Sequence, residues 1–185
     1  MCNNSDPFGL KVCFEGDESQ RRTMADALAV AAEITYTWNS GTGCMENARP
    51  IHPGNAVAEQ VAGFINHVTK TAIFAPGRLP GSGSGSNTGS GVVPSSGGAD
   101  VVRILIDFGD VKRRYGVVPY VLNNGQTRCS FVPGARYTME MIMIHETGHT
   151  GYFFDPVQGV DEAMTFERAY TSRVGMPLRP DECHK

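Results

Sequence analysis

The sequence predicts a single α+β domain with a small antiparallel or mixed sheet, and three patterns carry that expectation. Apolar residues recur twice at helical spacing in the first part of the chain. A β-branched run followed by a turn signal marks strands in the middle. Near the end, an almost wholly apolar helix bears two histidines and precedes a second helix bearing acids. At 185 residues the chain is long enough for one hydrophobic core and too short for two large ones.

Residues 11–14 are short and partly alternating and read as a strand. Asp17 or Ser19 then caps a helix to about Trp38, because Met24, Leu28, Ala31, Ile34 and Trp38 recur at three- and four-residue steps. Residues 39–54 are rich in Gly, Pro and Asn and read as a loop. Val57, Val61, Phe64, Ile65 and Val68 form the second helical stripe, with Asn55 as its cap. Residues 81–98 hold 13 Gly or Ser in 18 positions and no charge, too little side chain to offset the entropy of ordering. A flexible surface loop is expected there, and a lid over a cleft is its functional alternative.

Residues 101–108 (VVRILIDF) are β-branched and read as a strand, with residues 117–122 as a candidate partner. Asn123, Asn124 and Gly125 make a turn signal, and residues 128–132 read as the return strand of a hairpin. From Thr138 the period becomes helical. Met141, Ile142, Met143 and Ile144 lead directly into His145-Glu146-Thr147-Gly148-His149, so this helix is expected to run through the interior.

His145 and His149 stand four apart, on one helix face, and both rings can reach one ion. Glu146 is offset by one residue, near enough to polarise a water on that ion. This is the H-E-x-x-H arrangement of zinc peptidases, which chance produces in roughly 0.5% of chains of this length. The fold is therefore expected to be zincin-like, with Zn2+ as cofactor. Gly148 lowers helix propensity but lets another backbone approach closely.

A catalytic zinc needs a third protein donor and an open position. Asp161 is expected to cap a helix from about Glu162 to Val174, and Gly175 followed by Pro177 is a stop signal. On it Ala163, Glu167, Tyr170 and Val174 share one face, which puts a carboxylate inside an inward stripe. A buried charge demands compensation, and zinc would provide it, so Glu167 is the preferred third ligand. Glu162 competes, although an acid in a first helical turn also suits the helix dipole without metal. Asp155 lies ten residues after His145, where a metzincin-type ligand falls, but Tyr152 replaces that arrangement's turn glycine. His184 is a further donor within reach. Zinc would acidify its water, Glu146 would take the proton, and the hydroxide would attack a polarised carbonyl. Tyr152 or Tyr170 could donate to the oxyanion, while Arg168 and Arg173 read as helix-surface charges and Arg179 as a tail residue.

Composition excludes some classes. Sixteen Lys and Arg against nineteen Asp and Glu leave a net charge of −3, no electrostatic footprint for nucleic acid or an anionic membrane. No apolar run reaches spanning length and the first residues lack a basic start, so neither a membrane helix nor a signal peptide is expected. Five cysteines without a CxxC pair argue against a zinc knuckle and define no disulfide framework, though one or two bridges are compatible with their spacing.

Two passages resemble known families. Asp6-Pro7-Phe8-Gly9-Leu10 resembles the DPxGL signature that closes the conserved cage of bacterial Rhs-repeat proteins. That resemblance implies that residues 1–10 end the Rhs core and residues 11–185 form the toxin domain of a polymorphic toxin. It also implies autocleavage, secretion, often by a type VI system, delivery into target-cell cytoplasm, and the Rhs cage and an immunity protein as partners. Thr165-Phe166-Glu167-Arg168 and Gly175-Met176-Pro177-Leu178-Arg179 are similar to the end of the type III effector zinc peptidase family, which pairs HExxH with a later Glu-Asn helix and a GLPLR-like tail. This implies His145, His149 and Glu167 as ligands and Glu146 as catalytic acid/base. Arg168 stands where that family has Asn, and the gap from His149 to Glu167 is short.

The expected function is thus a secreted zinc-dependent endopeptidase toxin that hydrolyses an intracellular target protein. The alternatives are a zinc-stabilised module that sequesters a partner, with a fourth protein ligand closing the site, and a peptidoglycan amidase.

Overall fold

The structure, a computed structural model, describes residues 12–79, 90–93, 100–154 and 161–183. The DPFGL segment, most of the Gly/Ser stretch, Asp155 and His184 lie outside the described residues. The α+β expectation holds: a mixed six-stranded sheet, in the order β2-β3-β1-β4-β6-β5, is joined by helices and by a separate two-stranded hairpin.

Strand β1 (Val12–Phe14) is wholly buried, antiparallel to β3 and parallel to β4. Helix α1 (Glu18–Ala32) starts at the expected cap: the Asp17 carboxylate accepts from the Gln20 N–H (2.8 Å) while the Gln20 side chain accepts from the Asp17 N–H (3.1 Å). It does not continue to Trp38. Glu33 turns left-handed (φ 56°) and β2 (Ile34–Asn39) follows. A four-residue spacing such as that of Ile34 and Trp38 satisfies a strand as well as a helix, and the β-branched and aromatic run Thr35-Tyr36-Thr37 decides for the strand.

Strand β3 (Cys44–Pro50) occupies part of the segment expected to be loop, pairing antiparallel with β2 and β1. Two non-periodic contacts secure it. Cys13 and Cys44, opposite one another, form a disulfide, and the Asn66 amide bonds both the N–H (3.0 Å) and the C=O (2.8 Å) of Ala48. Helix α2 (Ala56–Ile65) is capped by Asn55 as expected, and ends before Val68, which is exposed. The next element, β4 (Thr71–Pro76), is a central strand parallel to β1 and β6. Its buried Thr71, Ala72, Phe74 and Ala75 do not alternate, as befits a strand covered on both faces.

β5 (Gly91–Val93) is an antiparallel edge strand on β6 (Val101–Ile106), so part of the expected Gly/Ser loop is strand. Residues 117–122 do not pair with β6. Instead β7 (Val118–Val121) and β8 (Thr127–Ser130) form their own hairpin, with Gly125 at φ 82° in the turn. The main sheet is therefore built from residues 12–106, and of the 101–132 region only β6 belongs to it.

Helix α3 (Met139–Gly148) is capped by the Thr138 hydroxyl, which accepts from the Met141 N–H (3.2 Å), and every residue in it except Glu140 is buried. After the single turn α4 (Gly151–Phe154), helix α5 (Ala163–Val174) packs on α3, as does α1. At Gly148 the two backbones touch: a Cβ there would lie 2.5 Å from the Ala163 Cα. Ala163, Glu167 and Tyr170 face inward as expected, whereas Val174 turns outward before Gly175 ends the helix at φ 71°. Among the described residues no helix is long and apolar enough to cross a membrane.

Candidate functional site

The interior helix α3 and its C-cap residue His149, still in helical conformation, present both histidines on one face, with ring centroids 4.8 Å apart and planes perpendicular. Each ring is held from behind by a carboxylate on α5 or at its start. His145 Nδ1 lies 2.8 Å from Glu167 Oε2, and His149 Nδ1 lies 2.9 Å from Asp161 Oδ2. Asp161 also accepts from the Ala163 N–H (3.0 Å), so the expected cap residue ties the helix start to an imidazole. We assign the ring protons to Nδ1, donating to these carboxylates, which puts the lone pair of each imidazole on Nε2.

Charges follow from the same contacts. Burial pushes the His145 pKa down and keeps the ring neutral despite Glu167. Burial pulls Glu167 upward, but the His145 hydrogen bond and the Arg179 charge outweigh it and hold the carboxyl below its usual range, ionised. Asp161 is likewise held low, its modest burial outweighed by the Ala163 N–H and His149.

Arg179, expected to be a tail residue, is a buried member of the site. Its Nε donates to Glu167 Oε1 (3.0 Å), its Nη2 to Oε2 of the same carboxylate, and its Nη1 to the Tyr137 hydroxyl (2.8 Å). Its Nη2 also lies 3.4 Å from His145 Nδ1, two N–H groups sharing one carboxylate oxygen. A buried Glu167 does demand compensation, and in this structure the compensating cation is a guanidinium. Its place was not readable because residues after Gly175 have no period that assigns a face. The tail is fixed by a Tyr115 hydroxyl bond to the Pro177 carbonyl (2.6 Å) and by the Cys129–Cys183 disulfide.

Glu146 is buried, and desolvation, only partly opposed by Arg179, pushes its carboxyl up to about 8. Among the described residues its Oε2 has no hydrogen-bond partner. Glu146, His145 and His149 line one cavity of about 820 Å³ together with Tyr137, Tyr115 and Arg179. Tyr152 and Tyr170, the expected oxyanion donors, are not among its lining residues. Tyr152 is exposed, and Tyr170 meets the Thr138 hydroxyl at 3.4 Å. Glu162 is also absent from the lining and sits at the α5 cap position without a side-chain cap bond. Arg168 and Arg173 are helix-surface residues in ion pairs with Asp181 and Glu33.

Part of a zinc centre fits this arrangement. The imidazole pair is pre-oriented through Nδ1, and an unpartnered carboxylate oxygen is buried beside it. The third donor does not fit as directly, because both Glu167 oxygens are engaged by Arg179, one of them shared with His145. Among the described residues no group of three His, Cys, Asp or Glu side chains is arranged to hold a metal ion.

Fold and site together define an α+β protein with a His-Glu-Xaa-Xaa-His helix opening on a cavity. Comparisons with protein-family models, curated proteins and solved structures find no match, and no family membership follows.

Proposed function

We propose that this chain is a zincin-like, zinc-dependent endopeptidase that acts as a secreted bacterial toxin on a protein inside the target cell. The observation that carries the reading is the pairing of carboxylate-held imidazoles with a buried, unpartnered Glu146 oxygen at one cavity. His145 and His149 would hold the ion through Nε2. Glu167 is the third donor in this reading, being ionised, buried and adjacent to His145, and binding an ion would exchange part of its Arg179 contact for the metal. When bound there, the ion would supply Lewis acidity toward a water and a substrate carbonyl.

The chain's own residues supply the remaining chemistry. Glu146 accepts a proton at Oε2 and returns it to the leaving amine, which requires its ionised form. Burial opposes that form, and the positive charge of Arg179 and of a divalent ion favours it. Tyr137, its hydroxyl pKa raised by burial, stays protonated and can donate to a developing oxyanion. The outer edge of β5, whose Gly91 and Val92 line the cavity, offers backbone groups with which an extended peptide can pair. The likeness of Asp6-Pro7-Phe8-Gly9-Leu10 to the Rhs signature supports delivery as a toxin, with a cognate immunity protein as partner.

The test is to compare newly formed amino-terminal peptides in target cells expressing wild type or Glu146→Ala. Discrete cleavage sites found only with wild type are expected. Identical peptide sets from two equally abundant proteins would refute proteolysis.

A further inference from the structure

We propose that the cavity selects peptides carrying an acidic side chain near the bond presented to Glu146, through the guanidinium groups of Arg114 and Arg128. The proposal rests on the peptidase reading of the same site and names its substrate class.

Four arginines line the cavity: Arg113, Arg114, Arg128 and Arg179. Two are neutralised from within the protein. Arg113 pairs with Asp110 at 2.6 Å, and Arg179 pairs with Glu167. Arg114 and Arg128 are exposed and, among the described residues, form no ion pair. Among the described residues the acids on the cavity wall are Asp110, already paired, the buried Glu146 beside the histidines, and the exposed Glu182. Among the described residues Arg114 and Arg128 thus stand exposed and unpaired on a wall whose one exposed carboxylate is Glu182, in a chain whose overall charge is −3. The local sign opposes the average and favours an anionic ligand.

The cations are also prepared for carboxylates. The Arg114 guanidinium lies over the Phe131 ring, 4.8 Å from its centroid, which restricts the side chain while leaving its planar fork of donors available. Arg128 stands on β8, next to Cys129, whose disulfide to Cys183 anchors the hairpin to the tail. A planar carboxylate matches this donor geometry, and holding both cations on anchored segments lowers the entropy lost on binding. An extended peptide pairing with β5 would lie in the same cavity as both arginines.

The experiment uses two fluorescein-labelled alanine-based decapeptides with blocked carboxyl ends, one carrying three Glu and the other three Gln at the same positions. Binding and hydrolysis are measured with the full chain in the presence of zinc. The Glu peptide is expected to bind at least about tenfold tighter at low salt, with the ratio shrinking as salt rises. Arg114→Gln with Arg128→Gln should bring the ratio to about one while circular dichroism shows a folded protein, and Arg136→Gln, outside the cavity, should keep it. Equal binding of the two peptides overturns the proposal, as does a ratio that survives in the folded double variant. Oligothymidylate of matching charge bound as tightly as the Glu peptide also overturns it, since the wall would then be a general polyanion site. Hydrolysis of both peptides at equal rates sinks the acidic preference and leaves the peptidase reading standing. Selective binding without hydrolysis of any peptide does the reverse.

Discussion

Arg179 grips the Glu167 carboxylate through two nitrogens, and this bidentate pair is buried beside the His145 ring. One ionised acid thereby serves two partners, neutralising a guanidinium and fixing the tautomer of a histidine. Arg179→Met removes the only one of these partners that carries full positive charge and strands Glu167 in the interior. A loss of about 3–5 kcal/mol is expected, read by urea denaturation of the metal-free protein. The double variant Arg179→Met with Glu167→Gln should recover a substantial part of that loss, because no charge is then left buried; additive losses would contradict the pairing.

Glu146 gives the metal-free protein a distinctive pH dependence. Its folded pKa, about 8, lies above the ordinary glutamate value of 4.5, so the folded state holds its proton more tightly than the unfolded chain does. The contribution to stability is complete below the unfolded pKa and is lost as pH rises through the folded one. Stability in chelator should therefore fall between about pH 4.5 and 8 by on the order of a few kcal/mol, and Glu146→Gln should remove this component. Denaturant midpoints across that range measure it; equal slopes in wild type and variant would contradict the burial of an uncharged acid.

Gly148 permits the contact that brings α5, and with it Asp161 and Glu167, up to the histidines. A methyl group there would meet the Ala163 backbone at 2.5 Å, which no side-chain rotation can relieve. Gly148→Ala should cost about 1–3 kcal/mol by overpacking, despite alanine's better helix propensity, and should weaken zinc retention. A thermal melt with unchanged or raised midpoint would show that the helices are not in such close contact.

The parts of this site visible from sequence are those with a period or a local signal. The interior course of α3 follows from its unbroken apolar run into His145, and α5 follows from Asp161 at one end and Gly175 at the other. Ile34 and Trp38 misled because four residues is a multiple of the strand period and close to one helical turn. β3 was hidden by its polar composition, since Cys13 and Asn66 secure it from distant points in the chain. β4 was hidden by its lack of alternation. Arg179 could be placed only in three dimensions: it lies in an irregular segment, and the requirement of Glu167 for a counter-charge does not say which cation meets it.

The Cys129–Cys183 bridge closes a loop of sequence separation 54 and joins the hairpin to the segment that follows Arg179. Replacing Cys183 with Ser, which leaves the Cys13–Cys44 bridge in place, should lower stability by about 2–4 kcal/mol. Hydrogen exchange should report the change first in β7, β8 and the tail, with β1 and β4 still protected. Uniform loss of protection across the sheet would contradict a local anchoring role.

Zinc is tested most directly by an anomalous difference map, recorded just above the zinc absorption edge from crystals soaked in zinc chloride. A single strong peak bonded to Nε2 of both His145 and His149 is the outcome expected here, with Glu167 drawn toward it from Arg179. A map with no peak between the two rings, from crystals whose soaking solution still holds the metal, would contradict the proposed chemistry.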